Sequence, residues 1–289
     1  QKVGEMIHAA RKPAAAGQPQ GPRQAALSTV LLVDTHTHVD DAGFDPDRAA
    51  MLARARAAGV TRQLVAGIDA AGWPKLRTVC AADPGLFPAY GLHPLFLARH
   101  RPEHLDALRD WIRRERPLAV GECGLDHYVE GRDRKRQADY FEAQLGIAAE
   151  AGLPVIVHAR RAVEEVILTL RRFDGLRGVV HSFSGSRQQA EQLWERGFLL
   201  GIGGPVTYAR AKRLRRLVAD MPIEYLLLET DSPDQPDCHH QGQRNEPARL
   251  VNVLEAVAEL RGDPPEAIAA TTTANAERLF NLPPEKDLL

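Results

Sequence analysis

The sequence has little cysteine, almost no net charge and no long apolar run. Only Cys80, Cys123 and Cys238 occur among 289 residues, without C-x-x-C spacing. This pattern argues against a disulfide framework and a thiolate zinc site, and it favours a reducing cytoplasm.

A net charge of −1 gives no general attraction to nucleic acid or to a membrane surface. No apolar run approaches the roughly 20 residues that span a bilayer, and no signal-peptide pattern is visible, so we expect a soluble protein.

Residues 1–29 differ in composition from the rest of the chain. They mix Pro, Gly, Gln and Ala without an apolar period, which is typical of a flexible tail or linker. Residues 30–289 show no comparable break and no short repeat. With 44% hydrophobic residues overall, this part is long enough to form one domain with a substantial core.

Short β-rich runs alternate with longer runs rich in Ala, Arg, Leu and Glu, as in a parallel α/β fold. The predicted strands are 31–38, 62–69, 86–93, 118–126, 154–160, 178–184, 198–206 and 225–231. The predicted helices are 46–58, 71–82, 102–116, 132–151, 162–173, 187–196, 209–219 and 248–261. Eight βα units in this length favour a (β/α)₈ TIM barrel, with a doubly wound sheet as the alternative.

The predicted strands end in polar residues. The first, "LLVDTHTHVD", carries Asp34, His36 and His38, and the others carry His93, Glu122, Asp126, His158, Arg160, His181, Ser182, Ser184, Glu229 and Asp231. In a barrel these ends meet at one face, where active sites of this fold lie. Four histidines and several carboxylates are too many for one tetrahedral ion, so we predict two divalent ions that share a bridging carboxylate.

Each of these residues alone is compatible with an ordinary hydrogen-bonded side chain at a strand end. The pair His36 and His38 alone does not decide between metal binding and ordinary hydrogen bonding. Metal binding is favoured only because residues of ligand type end several strands at the same face. "DCHH", at 237–240, lies in a loop without partner ligands and is not predicted as a site. Cys123 should point away from its neighbour Glu122, into the packing.

With these residues in place, the chain resembles the TatD family of metal-dependent deoxyribonucleases. The matching blocks are "DTHTH", "GLHP", "GECGLD", "LPVIVHAR", "HSFSGS", "GIGGPVTY", "LLLETDSP", "RNEP" and "NAERLF". The resemblance implies a barrel of the metal-dependent hydrolase type. It implies one ion held by His36, His38, Glu122 and Asp231, and a second ion held by Glu122, His158 and His181. Thr37 stands where many relatives have Cys.

The expected chemistry is phosphodiester hydrolysis of DNA, most plausibly at single-stranded ends, by a metal-activated water with Asp231 as general base. His93, Arg160, Ser182 and Ser184 are candidate phosphate contacts, and Glu229 is a candidate orienter of a histidine. The basic run "GRDRKR", at 131–136, follows strand four and is either a nucleic-acid contact or a solvated helix start.

Two other functions stay open at this point. One is a dinuclear hydrolase of a small ester, lactone or amide, and the other is a non-catalytic metal-stabilised module that binds nucleic acid. Nitrogen and oxygen ligands admit Zn, Mn, Mg or Co. Nothing in the sequence indicates a membrane partner or an obligate protein partner.

Overall fold

The computed structural model describes residues 30–284 and contains an eight-stranded parallel sheet in the order β1 to β8. The strands are β1 Leu32–Thr37, β2 Val60–Ala66, β3 Leu86–Tyr90, β4 Ala119–Asp126, β5 Val155–Arg160, β6 Gly178–Val180, β7 Phe198–Ile202 and β8 Leu226–Leu228. Each strand pairs with the next one in sequence, which confirms the predicted (β/α)₈ barrel over the doubly wound sheet. The predicted tail, 1–29, and residues 285–289 lie outside the described residues.

One helix follows each strand along the chain, where the sequence predicted it. These helices are α1 Arg48–Ala57, α2 Trp73–Ala81, α3 Glu103–Glu115, α4 Arg134–Ala151, α5 Val163–Leu170, α6 Arg187–Trp194, α7 Lys212–Asp220 and α8 Leu250–Arg261. A further helix, α9 Pro265–Phe280, was not predicted. Its start at a proline pair and its three consecutive threonines obscure the pattern, since β-branched residues have low helix propensity.

The barrel interior is filled by one apolar side chain from each strand. These residues are Val33, Leu64, Ala89, Ala119, Ile156, Val179, Leu199 and Leu227. This layer packs against Ala276, Leu279 and Phe280 of α9 and against Leu282. The missed helix therefore closes the bottom of the barrel, opposite the face at which the polar strand ends gather.

Side chains join the first and last strands of the barrel. The Asp34 carboxylate accepts hydrogen bonds from the Thr230 backbone N–H at 3.0 Å and from the Thr230 hydroxyl at 2.5 Å. Thr35 donates to the carbonyl of Leu228 at 2.9 Å. Burial raises the pKa of Asp34 to about 8. Asp34 is thus part of the barrel closure and does not reach the mouth, although it lies in the same motif as His36.

Several strands are shorter than predicted, and this changes how the site is built. β3, β6 and β8 end before His93, His181 and Asp231, so these residues lie in the following loops. The predicted strand 225–231 was therefore too long, because Glu229 and Asp231 both follow the end of β8 at Leu228. Asp231 has a positive φ of 56°, and this loop conformation sets the direction of its side chain. No helix within 30–284 is long and apolar enough to span a membrane.

Candidate metal centre

The carboxyl ends of the strands surround a cavity of 680 Å³ at the mouth of the barrel. Its lining includes, among the predicted site residues, His38, His93, Glu122, His158, Arg160, His181, Ser182, Ser184 and Asp231. His36 lies beneath it, fully buried, with its ring stacked on His181 at 3.8 Å between centroids. The structure therefore brings together every residue that the sequence proposed as a ligand.

Glu122 lies at the centre of this group, and its two oxygens face different histidines. Oε2 lies 3.1 Å from His36 Nε2 and 3.4 Å from His38 Nε2. Oε1 lies 2.9 Å from His158 Nδ1 and 2.8 Å from His181 Nε2. Asp231 Oδ1 completes the first set, at 3.4 Å from both His36 and His38. This is the arrangement that a carboxylate bridging two ions requires.

The separations within each set fit a shared cation. Two ligands bonded to one tetrahedral zinc ion lie about 3.3 Å apart. The ring nitrogens of His36 and His38 that face each other are 3.3 Å apart, as are those of His158 and His181. Glu122 Oε2 is buried and has no hydrogen-bond donor among residues 30–284. A buried carboxylate oxygen without a donor is costly, and a bound cation would remove that cost.

The other ring nitrogen of three histidines is directed at an acceptor. His38 Nδ1 lies 2.9 Å from the Ala66 carbonyl, and His158 Nε2 lies 2.8 Å from Asp126. His181 Nδ1 lies 3.5 Å from Glu229 Oε1 without forming a hydrogen bond, so the orienting role of Glu229 stays a prediction. In the neutral rings of His38 and His158, these acceptors fix the tautomer that leaves the inward nitrogen with a free lone pair. The sequence predicts Asp126 at the end of β4, but its role as an acceptor is evident only from the structure.

His93 differs from the other histidines in how its ring is used. Its Nδ1 accepts a hydrogen bond from the backbone N–H of Leu95 at 3.0 Å. The neutral ring therefore carries its proton on Nε2, which lies 2.9 Å from Glu122 Oε1. Burial lowers the pKa of His93 to about 4, so the ring is neutral near pH 7. His93 is thus arranged as a hydrogen-bond donor, although with Glu122 and His158 it also forms a group that could hold a metal ion.

The loop after β8 holds Asp231 through its second oxygen. Gln235 donates from its amide to Asp231 Oδ2 and accepts from the Ser182 hydroxyl at 2.8 Å. Asn245, from the "RNEP" block, donates to the carbonyls of Thr230 and Asp234, each at 2.9 Å. Asp231 Oδ1 is consequently free to face His36 and His38. No pattern in the sequence indicates the role of Gln235.

The carboxylates and histidines of the site shift one another's pKa values. Burial alone would lower the pKa values of His38 and His181, but carboxylates outweigh it and raise both well above the usual value. Asp231 and Glu122 act on His38, and Glu122 and Glu229 act on His181. Burial would raise the pKa of Glu122, and the surrounding histidines instead hold it well below its usual range. The carboxylates are therefore ionised at neutral pH and available to a cation.

The predicted substrate contacts lie at the edge of the cavity. Arg160 is exposed and its guanidinium lies 3.7 Å from the ring centroid of Tyr128. Ser184 is exposed, whereas the Ser182 hydroxyl is already engaged with Gln235. Each of the three lines the cavity, as predicted, but Ser182 serves to brace the Asp231 loop.

Three further sequence features have structural roles. In the run 131–136, Arg132 and Arg136 donate to the carbonyls of Leu95 and His100, each at 2.6 Å, which favours the helix-start interpretation. In "DCHH", Asp237 accepts from the His239 backbone, and the candidate metal groups within 30–284 do not include this segment. Cys123 is buried in the core, as expected.

Residues 33–281 match the family model described as TatD related DNase. The uncharacterized metal-dependent hydrolase YjjV of Escherichia coli is 39% identical over 254 residues, which cover 87% of this chain and 98% of that protein. The crystal structure of that E. coli protein superposes with a TM-score of 0.84, over 87% of this chain and 98% of the other, at 38% identity. The 3'-5' ssDNA/RNA exonuclease TatD of Cronobacter sakazakii is 36% identical over 260 residues, which cover 86% and 97% of the two chains.

Proposed function

Because the chain belongs to the family of TatD-related DNases, we propose that it is a divalent-metal-dependent phosphodiesterase that shortens single-stranded nucleic acid. The family match confirms the resemblance found in the sequence blocks, and with it the prediction of a hydrolase. The observation that carries the finer proposal is the position of Glu122 between two groups of histidines.

We place two proposed ions on this donor set. His36, His38 and Asp231 would hold one ion together with Glu122 Oε2, and His158 and His181 would hold the other together with Glu122 Oε1. Divalent ions held by these residues would lower the pKa of a water molecule and offset charge on phosphoryl oxygens. These donors suit Zn, Mn, Mg or Co.

Two residues of the chain supply proton and hydrogen-bond chemistry. Asp231 lies at the open side of the cluster, with its side chain 13% exposed, and is the proposed proton acceptor for the attacking water. His93 presents Nε2–H at the same cavity and can transfer its hydrogen bond from Glu122 to a phosphoryl oxygen. A neutral donor of this kind stabilises developing negative charge without a change of its own protonation.

The choice of substrate rests on the relatives and on the shape of the mouth. Relatives of high coverage carry the name 3'-5' ssDNA/RNA exonuclease, and the cavity of 680 Å³ is open enough to admit a chain end. Exposed Arg160 at the rim offers a charged contact to a phosphate. We therefore propose DNA as substrate, with hydrolysis from an end of a single strand.

The test is release of nucleotides from end-labelled single-stranded DNA by metal-depleted protein, with and without added Mg²⁺, Mn²⁺, Zn²⁺ or Co²⁺. Metal-restored release that Asp231→Asn lacks would support the proposal. Asn tolerates the positive φ of position 231, so this variant preserves the loop backbone. If no metal restores release from DNA or RNA, the phosphodiesterase proposal is wrong and a panel of small esters and lactones becomes the relevant assay.

A further inference from the structure

A second cavity, of 400 Å³, opens beside the metal centre. Ser182, Ser184 and Pro205 line both cavities, so the two are adjacent along the mouth of the barrel. The far wall of the second cavity is basic, with Arg210, Lys212 and Arg213 at the start of α7.

These basic residues belong to a dense positive segment without neutralising partners. Its members are Arg210, Lys212, Arg213, Arg215 and Arg216. Within residues 30–284, no carboxylate oxygen lies within the 4.0 Å of a salt bridge to any of them, although arginines elsewhere, such as Arg172 with Glu142, are paired. Arg213 is held in place by its hydrogen bond to the Ser184 carbonyl at 2.6 Å. The chain carries a net charge of only −1, so this segment is a local concentration of charge.

The segment places positive charge at the end of a helix that favours negative charge. Helix α7 starts at Lys212, and its N-cap residue, Ala211, makes no side-chain capping bond. Its first turn has basic residues and no acidic one, although the positive end of a helix dipole favours negative charge. Free backbone N–H groups, a helix dipole and several cations around one cavity are features that favour the binding of a phosphate.

We infer that this second cavity binds a backbone phosphate of a single-stranded nucleic acid whose scissile bond lies at the metal centre. The inference rests on the proposed function and specifies its substrate, because a small ester would fill the first cavity and would not reach the second. Ser184 lies between the two cavities, and the strand would pass over it. This arrangement makes hydrolysis more efficient on a strand of several nucleotides than on a dinucleotide.

The experiment measures how binding of oligothymidylate of about ten nucleotides depends on salt, in the Asp231→Asn background to prevent cleavage. The double variant Arg210→Gln, Lys212→Gln should lower the slope of log affinity against log salt by about 0.7 for each phosphate that is no longer neutralised. The matched control is Arg216→Gln, which removes an exposed charge of the same helix outside the cavity lining. Lys212→Arg, which keeps the charge, should retain the parent slope.

In the active protein, the ratio of kcat/KM on this strand to kcat/KM on a dinucleotide should fall about tenfold in the double variant. An unchanged slope, or an equal fall in Arg216→Gln, would overturn the inference. Absence of salt-dependent binding in the Asp231→Asn protein would overturn it as well. The proposed function fails by a different result, namely that no metal restores hydrolysis of the strand, of the dinucleotide or of bis(p-nitrophenyl) phosphate.

Discussion

Asp126 lies 2.8 Å from His158 Nε2, while the opposite nitrogen of the same ring lies 2.9 Å from Glu122. The Asp126 carboxylate thus determines which nitrogen of His158 has the free lone pair. Burial would raise the pKa of Asp126, but the hydrogen bond from His158 lowers it below its usual value. Asp126 is therefore ionised at neutral pH, where it can orient the ring and increase the basicity of Nδ1.

We expect Asp126→Ala to weaken binding of the ion held by His158 about 10- to 100-fold, as removal of such acceptors does in other metal sites. The measurement is a metal titration of the depleted protein by calorimetry or by competition with a chelator. Asp133→Ala is the matched control, because Asp133 caps the following helix through Arg136 N–H and lies outside the site. The control should cost about 1 kcal/mol of folding free energy and leave metal affinity unchanged. Equal affinity in Asp126→Ala and the parent would contradict the role of Asp126.

Gly201 provides the space that Glu229 occupies behind His181. A Cβ at position 201 would lie 2.1 Å from Glu229 Oε2 and 3.0 Å from the His181 Cα. Gly201→Ala should therefore displace the Glu229 side chain, lower the free energy of unfolding by about 1–3 kcal/mol and weaken metal binding through His181. Denaturant unfolding and metal titration of the same preparation test both effects.

Gly146→Ala is the matched control for Gly201→Ala. Position 146 lies within α4, and apart from neighbouring residues and the backbone of the helix itself no atom of residues 30–284 lies within 4 Å of a Cβ built there. Alanine has the higher helix propensity, so this variant should be up to about 1 kcal/mol more stable and bind metal normally. If Gly201→Ala behaves in the same way, Glu229 has room to move and does not position His181.

The candidate ligands could be selected from the sequence because they lie at or near the ends of buried, recognisable strands. His36, His158 and His181 each come at the end of an apolar run, and a barrel brings such ends together. Strand lengths were less well predicted, since the apolar runs continue into loops that keep buried side chains, as at Phe183 and Val206. Helix α9 was missed because its apolar residues alternate with small and β-branched ones.

The supporting contacts could not be predicted, because they depend on distances across the fold. Gln235 reaches Asp231 within one loop, but Ser182, its other partner, lies 53 residues away. The proton position on His93 follows from one backbone N–H, that of Leu95, which no residue pattern specifies. The basic segment that begins at Arg210 was visible in the sequence, yet its proximity to the metal centre became evident only from the shared lining of two cavities.

Arg160 is expected to contact the substrate directly. Its guanidinium lines the main cavity and is supported by the ring of Tyr128, which is 46% exposed. A hydrogen bond to a charged group contributes about 1.5–3 kcal/mol, so Arg160→Gln should raise KM for single-stranded DNA roughly tenfold or more with little change in kcat. Arg161→Gln is the matched control, since Arg161 also lies over Tyr128, at 4.7 Å, but does not line the cavity. A similar change in both variants would show a general charge effect instead of a specific contact.

His93 provides the test that separates a hydrogen-bond donor from a metal ligand. Its Nε2 lies as close to Glu122 as the ligating nitrogens do, so distance alone does not distinguish it. The hydrogen bond from the Leu95 N–H to Nδ1 distinguishes it, because a neutral ring whose Nδ1 accepts a hydrogen bond carries its proton on Nε2 and has no lone pair there.

We therefore expect His93→Gln to keep its full metal content and lose about 10²-fold in kcat, which is typical for removal of one donor to a developing oxyanion. His158→Gln should instead lose metal, and its activity should recover partly at high metal concentration. Elemental analysis after dialysis, together with steady-state rates at several metal concentrations, measures both properties. Loss of metal from His93→Gln, with recovery of its rate by added metal, would make His93 a ligand of the ion held by His158 and contradict the donor assignment.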